Sequence, residues 1–138
     1  PPEESADLQA ALVDADLRMI YLVAPTSTPA RVRMIAARAS GFIYYVSRTG
    51  VTGEHERIAD DLGEHIALIR QHTSLPIAVG FGVSTPAHAT QIAALADGVV
   101  VGSAIVRRIG AGGDSDAMVA EVTQFARSLS VPLQPEPA

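Results

Sequence analysis

The sequence predicts an α/β fold built on parallel strands, and three observations support this prediction. Although 48% of the 138 residues are hydrophobic, only 4% are aromatic, so aliphatic side chains must fill the core. Four short apolar runs recur along the chain, as strands of a parallel sheet covered on both faces do, at residues 18–25, 41–47, 75–82 and 97–103. Amphipathic helical patterns separate these runs, which is the order expected of a parallel sheet.

Helices are predicted between the strands by apolar residues spaced three or four apart. Two Thr-Pro pairs, at Thr28 and Thr85, each place a capping hydroxyl before a proline in the first helical turn. The predicted apolar faces are Leu8, Leu12 and Ala15 in the first helix, Val32, Ile35, Ala36 and Ala39 in the second, Leu62, Ile66 and Ile69 in the third, and Ala89, Ile92, Ala93 and Ala96 in the fourth.

The carboxyl-terminal part predicts a final helix and then a tail. Ser115 is expected to cap a helix from Asp116 to Leu129, with Met118, Val122, Phe125 and Leu129 on its apolar face. The proline-rich sequence "VPLQPEPA" that follows predicts a disordered tail. We therefore expect one domain over residues 1–130 and a disordered segment over 131–138.

Charge and composition exclude several functions. A net charge of −5 argues against non-specific binding to nucleic acid or an anionic membrane. No apolar run approaches the ~20 residues of a membrane span, and the amino terminus lacks a signal-peptide pattern, so we expect a cytoplasmic protein. With no Cys and no Lys in the sequence, thiolate and Schiff-base catalysis by this chain are excluded. The histidines lack ligand-pair spacing and predict no metal site: His55, His65, His72 and His88.

Glycine-bearing turns follow the last two predicted strands. The sequences "GFGVSTP" and "GSAIVRR" both lead from a strand into a helix, where bare N–H groups and the positive end of the helix dipole attract anions. In eight-stranded (β/α) barrels a phosphate commonly binds above the last two strands, beside a short extra helix such as "SAIVRRIG" would form. These turns predict a phosphate site, and the alternative is that glycine merely permits tight turns.

The longest connection, "RTGVTGEHERIAD", lies between the second strand and its helix. Such loops lie at the carboxyl ends of the strands, which is the ligand-binding face of parallel α/β proteins. Long connections in compact domains are usually functional lids or flexible segments. We therefore expect this segment to cover a ligand.

Taken together, "GFIYYVSRTGVTG" and "LPIAVGFGVSTPAHATQIAALADGVVVGSAIV" resemble the carboxyl-terminal half of the tryptophan synthase α subunit. The opening "PPEES" resembles the end of that family's fourth strand and the start of its fourth helix, and the resemblance extends to about residue 129. It implies a parallel half of a TIM barrel, strands 5–8 with their helices, that is closed only with a missing amino-terminal half.

The resemblance also implies a lyase of tryptophan and aromatic amino acid biosynthesis. The α subunit cleaves indole-3-glycerol phosphate by a retro-aldol reaction to indole and glyceraldehyde 3-phosphate. Implied partners are that substrate, the missing barrel half and the β subunit, which carries pyridoxal phosphate. No cofactor is implied in this chain, and its lack of lysine agrees with a Schiff base that belongs to the partner.

Four residues match the family's phosphate-binding positions. These are Gly53 at the end of the long loop, Gly82 after the third strand, and Gly102 with Ser103 after the fourth. Glycine at such positions lets the backbone approach a ligand closely.

Three further residues match positions around the substrate. Tyr44 matches a strand tyrosine beside the substrate and shares a strand face with Phe42 and Val46 by period-two alternation. Phe81 matches a position near the indole ring, and Thr52 matches a loop threonine that helps to close the site. Without the resemblance, the same residues would be interpreted as a core tyrosine, a packing phenylalanine and a turn hydroxyl.

No catalytic residue is predicted in this chain. The family's acid and base are a Glu and an Asp on the second strand and the loop after it, which have no counterpart here. Glu54, Glu56 and Asp60 are better explained as a solvated loop face. The alternative function is a non-catalytic half-barrel module that binds a phosphorylated ligand; "VSRTGVTG" argues against a different phosphate-binding barrel enzyme.

Four strands cannot close an eight-stranded barrel. The strands at the margins, near Ile20 and Val99, are expected to expose unpaired backbone groups that invite another chain. A start in mid-unit at "PPEES", without an initiator Met, favours a fragment or one half of a split barrel. The alternative is a half barrel that dimerises.

Overall fold

Four parallel strands form a single sheet in the order β1-β2-β3-β4, as predicted. The computed structural model describes residues 1–47, 55–80, 82–113 and 115–130, with the side chains of 55–60 left outside the description. The strands are β1 (Tyr21–Val23), β2 (Ile43–Val46), β3 (Ile77–Gly80) and β4 (Gly98–Val100). Each is shorter than the apolar run that predicted it, because parallel pairing covers only the three or four residues that face a neighbouring strand.

Helices alternate with the strands along the chain. After a 3-10 turn at Pro2–Glu4, the described residues form α1 (Ala6–Asp14), α2 (Pro29–Arg38), α3 (His55–Arg70), α4 (Pro86–Ala93), α5 (Ser103–Gly112) and α6 (Asp116–Ser130). None of these helices combines the length and the hydrophobicity that crossing a bilayer requires.

Three predicted helix caps are confirmed. Thr28 Oγ1 accepts from the Arg31 N–H at 3.3 Å, and Thr85 Oγ1 accepts from the His88 N–H at 3.3 Å. Ser115 Oγ accepts from the N–H of Met118 at 3.2 Å at the start of α6. Each hydroxyl supplies an acceptor to an N–H group that has no partner within its own helix.

The core lies between the helices and one face of the sheet. Strand residues of that face are buried together with the apolar faces of α2, α3 and α4, as the helical spacing predicted. Burial raises the pKa of the core residue Tyr45 to about 12, and the charge of Asp61 adds to this rise. The strand residues in this core are Tyr21, Val23, Ile43, Tyr45, Ile77 and Val79.

The opposite face of the sheet is not covered by helices in the described part of the chain, so the prediction of strands covered on both faces is wrong for this chain. We call it the inner face and define it by Leu22, Phe42, Tyr44, Val46, Ala78, Gly80, Gly98 and Val100. Leu22, in the middle of β1, is 59% exposed. A parallel half barrel accounts for this face, because its interior is filled only when more strands complete the ring.

The first helix is the element that sequence periodicity described least well. It forms at Ala6–Asp14, so Ala15 lies beyond its last residue, and α1 buries none of its side chains. Leu8 is 55% exposed, which contradicts its predicted core position. The pattern is still amphipathic, but the described chain supplies no surface that covers it.

Asp97 fixes the starts of β3 and β4 relative to each other. Its carboxylate accepts from the Ile77 N–H at 2.8 Å and from Arg70 Nη2 at 3.0 Å, and its own N–H donates to the Ile77 carbonyl at 2.9 Å. The hydrogen bond from the Ile77 N–H has the largest effect on the pKa of Asp97 and lowers it. Burial raises this pKa, but the Arg70 guanidinium lowers it further, so the pKa lies below its ordinary value. One carboxylate therefore joins two strands and the end of α3.

We predict that Asp97→Asn lowers the free energy of unfolding by about 1 kcal/mol at neutral pH, because it removes a charge-assisted acceptor that is partly exposed. The folded-state pKa of Asp97 is lowered, so this contribution is complete above about pH 5 and is lost as pH falls through the folded pKa. Urea denaturation at pH 7 and pH 3 measures both effects.

The control is Asp16→Asn, which breaks a 3.3 Å pair with Arg18 in which both side chains are mainly exposed. Such surface pairs contribute little, so its unfolding midpoint should match that of the unmodified chain. Equal midpoints for the Asp97 and Asp16 variants would contradict the role given to Asp97.

Candidate functional site

Two glycine corners lie at the carboxyl ends of β3 and β4. In the first, Gly82 has a φ of +60°, a conformation that favours glycine, and an added Cβ would meet no described residue within 4 Å. Val83 directly after it is buried, and Thr85 caps α4. The predicted glycine turn is therefore present, and no described side chain fills the space beside Gly82.

The second corner joins β4 directly to α5. Gly102 is the N-cap residue of α5, and no side chain caps the helix there. Its carbonyl accepts from the N–H groups of Ile105 and Val106 at 2.9 and 3.1 Å, which starts the helix. A Cβ at Gly102 would also meet nothing within 4 Å in the part of the chain that the structure describes. The first N–H groups of α5, beginning at Ser103, are thus presented at an open corner.

Strand register sets the two corners at the same height. Gly80 on β3 is the Cα partner of Val100 on β4, and Gly82 and Gly102 each follow two residues later. Because β3 and β4 are neighbouring parallel strands, the corners lie beside each other at one edge of the sheet. Gly82, Gly102 and Ser103 therefore follow the ends of two neighbouring strands, and their role as a phosphate site stays a prediction.

Electrostatics at these corners are compatible with an anion, as they are at the start of α2, whose first turn also has no acidic residue. Both α1 and α6 carry an aspartate in the first turn, Asp7 and Asp116, as helix amino termini prefer. Neither α4 nor α5 has an acidic residue in its first turn. In a chain of net charge −5, the positive ends of α4 and α5 thus have no acidic side chain in their first turns.

Tyr44 lies on the inner face beside these corners, and Gly80 makes room for it. The tyrosine ring crosses β3 so closely that a Cβ on Gly80 would overlap the hydroxyl and lie 2.8 Å from Cε2. Gly80 was missed as a site residue by sequence reasoning. The signal available was the run "AVGFG", in which a strand glycine faces the side chain of a bulky neighbour.

Several predicted site residues lie outside the described residues. They are Thr52, Gly53 and Phe81. Glu54, interpreted as part of a solvated loop face, also lies outside the description. The side chains of Glu56 and Asp60 are outside the description as well, although α3 includes both positions. Their assignment stays a prediction of the resemblance.

The described histidines have structural neighbours. The Nδ1 of His65 lies 2.7 Å from the Asp61 carbonyl, and its ring centroid lies 5.5 Å from that of Tyr45. Within the described residues, no three His, Asp or Glu side chains come together as metal ligands do. The open corners therefore offer backbone amides and one hydroxyl, which suit an oxyanion such as a phosphoryl group.

These features define a class: half of a parallel (β/α) barrel, with open glycine corners at the carboxyl ends of its last two strands. Over residues 1–133 the sequence matches the family model described as tryptophan synthase alpha chain. The chain belongs to this family.

Individual relatives agree with this assignment. The tryptophan synthase alpha chain of Opitutus terrae is 54% identical over 109 residues, which is 79% of this chain and 41% of that protein. A structure of tryptophan synthase from Mycobacterium tuberculosis superposes with a TM-score of 0.82 at 33% identity, covering 97% of this chain and 49% of that one. A structure from Aquifex aeolicus gives a TM-score of 0.79 at 36% identity, covering 98% and 48%.

The chain thus spans between 41% and 49% of the length of these relatives. The structural relatives are TIM barrels, and the described four-stranded sheet corresponds to about half of each. This confirms the predicted fold class and explains why one face of the sheet is open.

We predict that Gly80→Ala displaces the Tyr44 ring from its position over β3. The ring can move into the open inner face, so the free energy of unfolding should fall by only about 1 kcal/mol, the cost of an unfavourable rotamer. Nuclear Overhauser contacts between the Tyr44 ring and residue 80 should disappear. Gly98→Ala is the matched control, because its Cβ would lie 3.5 Å from Ala78 Cβ, an ordinary contact; loss of the ring contacts in both variants would contradict the prediction.

Proposed function

We propose that this chain is the phosphate-gripping half of a tryptophan synthase α barrel that acts as a lyase in tryptophan biosynthesis. The substrate is indole-3-glycerol phosphate, which is cleaved by a retro-aldol reaction to indole and glyceraldehyde 3-phosphate. The observation that carries this proposal is the pair of open corners at Gly82 and Gly102, level with each other and free of acidic side chains in the helical turns that follow.

Backbone amides provide the grip in this proposal. The N–H groups at Gly82 and at the start of α5 would donate to phosphoryl oxygens, and the positive end of the α5 dipole would favour the dianion. The hydroxyl of Ser103 adds one side-chain donor. This grip requires no lysine, and the sequence contains none.

The inner face would hold the rest of the substrate. Tyr44 lies over Gly80, two residues before the phosphate corner, so its ring would contact the organic part of a ligand anchored there. Phe81 would contact the indole ring, and Thr52 and Gly53 in the lid segment would close over the bound molecule. These three roles come from the family resemblance.

The chemical step needs groups that we assign to the other half of the barrel. Cleavage breaks the bond between the indole ring and the glycerol chain: a proton is added to the indole ring carbon, and another is removed from the adjacent glycerol hydroxyl. This requires an acid and a base with separated pKa values. In the complete enzyme, indole would then pass to the β subunit, whose pyridoxal phosphate supports the next reaction.

The test is release of indole from indole-3-glycerol phosphate. We expect no turnover by the 138-residue chain alone and turnover after mixing with the part of the Opitutus terrae relative that this chain does not match. Indole release by the chain alone would show that the chemistry was assigned to the wrong half. Phosphate binding without turnover in the mixture would favour the alternative, a non-catalytic binding module.

A charge at the corner tests the grip itself. Gly102→Asp should raise KM about 100-fold in the reconstituted enzyme, because like charges about 4 Å apart near a protein surface repel by several kcal/mol. Folding should be preserved, since aspartate is a favourable N-cap. Gly110→Asp, near the other end of α5 and also in open space, is the matched control and should leave KM within about twofold. Equal KM values for the two variants would contradict the phosphate assignment.

A further inference from the structure

The start of α5 has no side-chain cap of its own. The first turn of α4 is held by the Thr85 hydroxyl, but Gly102, the N-cap residue of α5, offers no side chain. Helix ends fray unless further contacts hold them. The amides at Gly102 and Ser103 therefore begin a helix whose first turn must be held by residues further along α5.

Arg108, in the second turn of α5, connects the first turn of this helix to α6. Its Nη1 donates to the Ala104 carbonyl at 2.9 Å, and its Cζ lies 3.5 Å from the centroid of the Phe125 ring. Its Nε lies 3.8 Å from Oε1 of Glu121. Because Glu121 and Phe125 are four residues apart on α6, they lie on the same side of that helix. One guanidinium thus bridges a carbonyl of α5 and one side of α6.

The ring of Phe125 provides the more important of the two contacts with α6. The Glu121 side chain is 62% exposed, so solvent screens its pair with Arg108. The Phe125 ring instead packs against the hydrophobic core, which also includes Leu129 one turn further along α6. A guanidinium over an aromatic face is a favourable cation–π arrangement. The Arg108 bridge therefore joins the first turn of α5 to the core.

The other contacts of α5 on this side involve small residues. Ala104 is 2% exposed, which gives the first turn one buried methyl group. At the far end of α5, Gly112 lies so close to α6 that an added Cβ would come within 2.6 Å of the Met118 Cβ. These contacts bring the two helices together, but neither offers a hydrogen bond to the first turn, whereas Arg108 does.

We infer that Arg108 is a positioning residue, which holds the first turn of α5 against α6 and thereby fixes the amides of Gly102 and Ser103. Its effect on binding rests on the proposed function, in which these amides donate to the phosphoryl group. The neighbouring Arg107 is the natural control. It is exposed, and within the described residues its side chain forms no ion pair or hydrogen bond.

Amide hydrogen exchange in the unliganded chain tests the positioning directly. The N–H groups of Ile105 and Val106 donate to the Gly102 carbonyl at 2.9 and 3.1 Å, so their protection reports whether the first turn of α5 is closed. Arg108→Met should lower both protection factors about fivefold, the effect of losing one partly exposed cation–π contact. Arg107→Met, which removes the same charge, should leave them within about twofold.

Phe125→Leu tests the ring contact without a change of charge. It keeps an apolar side chain against the core and should lower the same protection factors about fivefold. Combining it with Arg108→Met should lower them no further than the stronger single variant, because both changes remove one contact. The Val32 N–H, which donates to the Thr28 carbonyl at 2.9 Å at the start of α2, should keep its protection in every variant. This separates a local opening from a general loss of stability.

A titration with glycerol 3-phosphate, followed through amide ¹⁵N–¹H signals, measures the consequence for binding. Arg108→Met and Phe125→Leu should each raise the dissociation constant about fivefold and reduce the saturating shift of Ser103 relative to that of Gly82. Arg107→Met should raise the constant less than about twofold. A change in overall stability alone would leave the ratio of the two shifts unaltered.

Three results would overturn the inference: equal protection of Ile105 and Val106 in the Arg108 and Arg107 variants, effects of Arg108→Met and Phe125→Leu that add in the double variant, or lower protection with unchanged binding. An unmodified chain that does not bind glycerol 3-phosphate would contradict the proposed function instead. The protection factors would then still decide whether Arg108 holds the first turn of α5.

Discussion

The parallel pairing of β3 with β4 is the constraint on which the candidate site depends. Gly80 and Val100 are Cα partners, and both glycine corners follow two residues later at the same edge of the sheet. Asp97 holds this register from the other end by accepting from Ile77 and Arg70. A slip of one residue would turn side chains to the opposite face and separate the corners. The Asp97 carboxylate, which joins the starts of β3 and β4, therefore also determines how the two glycine corners are aligned at the ends of these strands.

One face of the sheet, the inner face, is not covered by helices in the described part of the chain. Helices bury one side of the sheet in an aliphatic core, but the other side exposes Leu22. Among the described residues, one edge of β1 and one edge of β4 have no strand partner. A surface with this pattern is incomplete by itself, because parallel strands are usually buried on both faces. The family assignment explains the pattern, since the relatives are about twice as long and form whole barrels.

Sequence reasoning predicted the features set by local chemistry. The order of strands and helices along the chain, the caps at Thr28, Thr85 and Ser115, and the glycine at Gly82 all follow from residue type and spacing. Features set by distant contacts were missed or wrong. The exposure of α1 depends on a surface that the described chain lacks, and the fit of Tyr44 over Gly80 depends on the register of two strands. Periodicity along one segment contains no information about either.

The central claim is that backbone amides at two neighbouring corners bind one phosphoryl group. The most direct measurement is a titration of the isotopically labelled chain with glycerol 3-phosphate, followed through its amide ¹⁵N–¹H signals. The account predicts that the signals of Gly82, Gly102 and Ser103 shift together along one saturation curve, while that of Gly110 stays in place. Different saturation curves for the two corners, or shifts confined to amides other than those of Gly82, Gly102 and Ser103, would contradict the account.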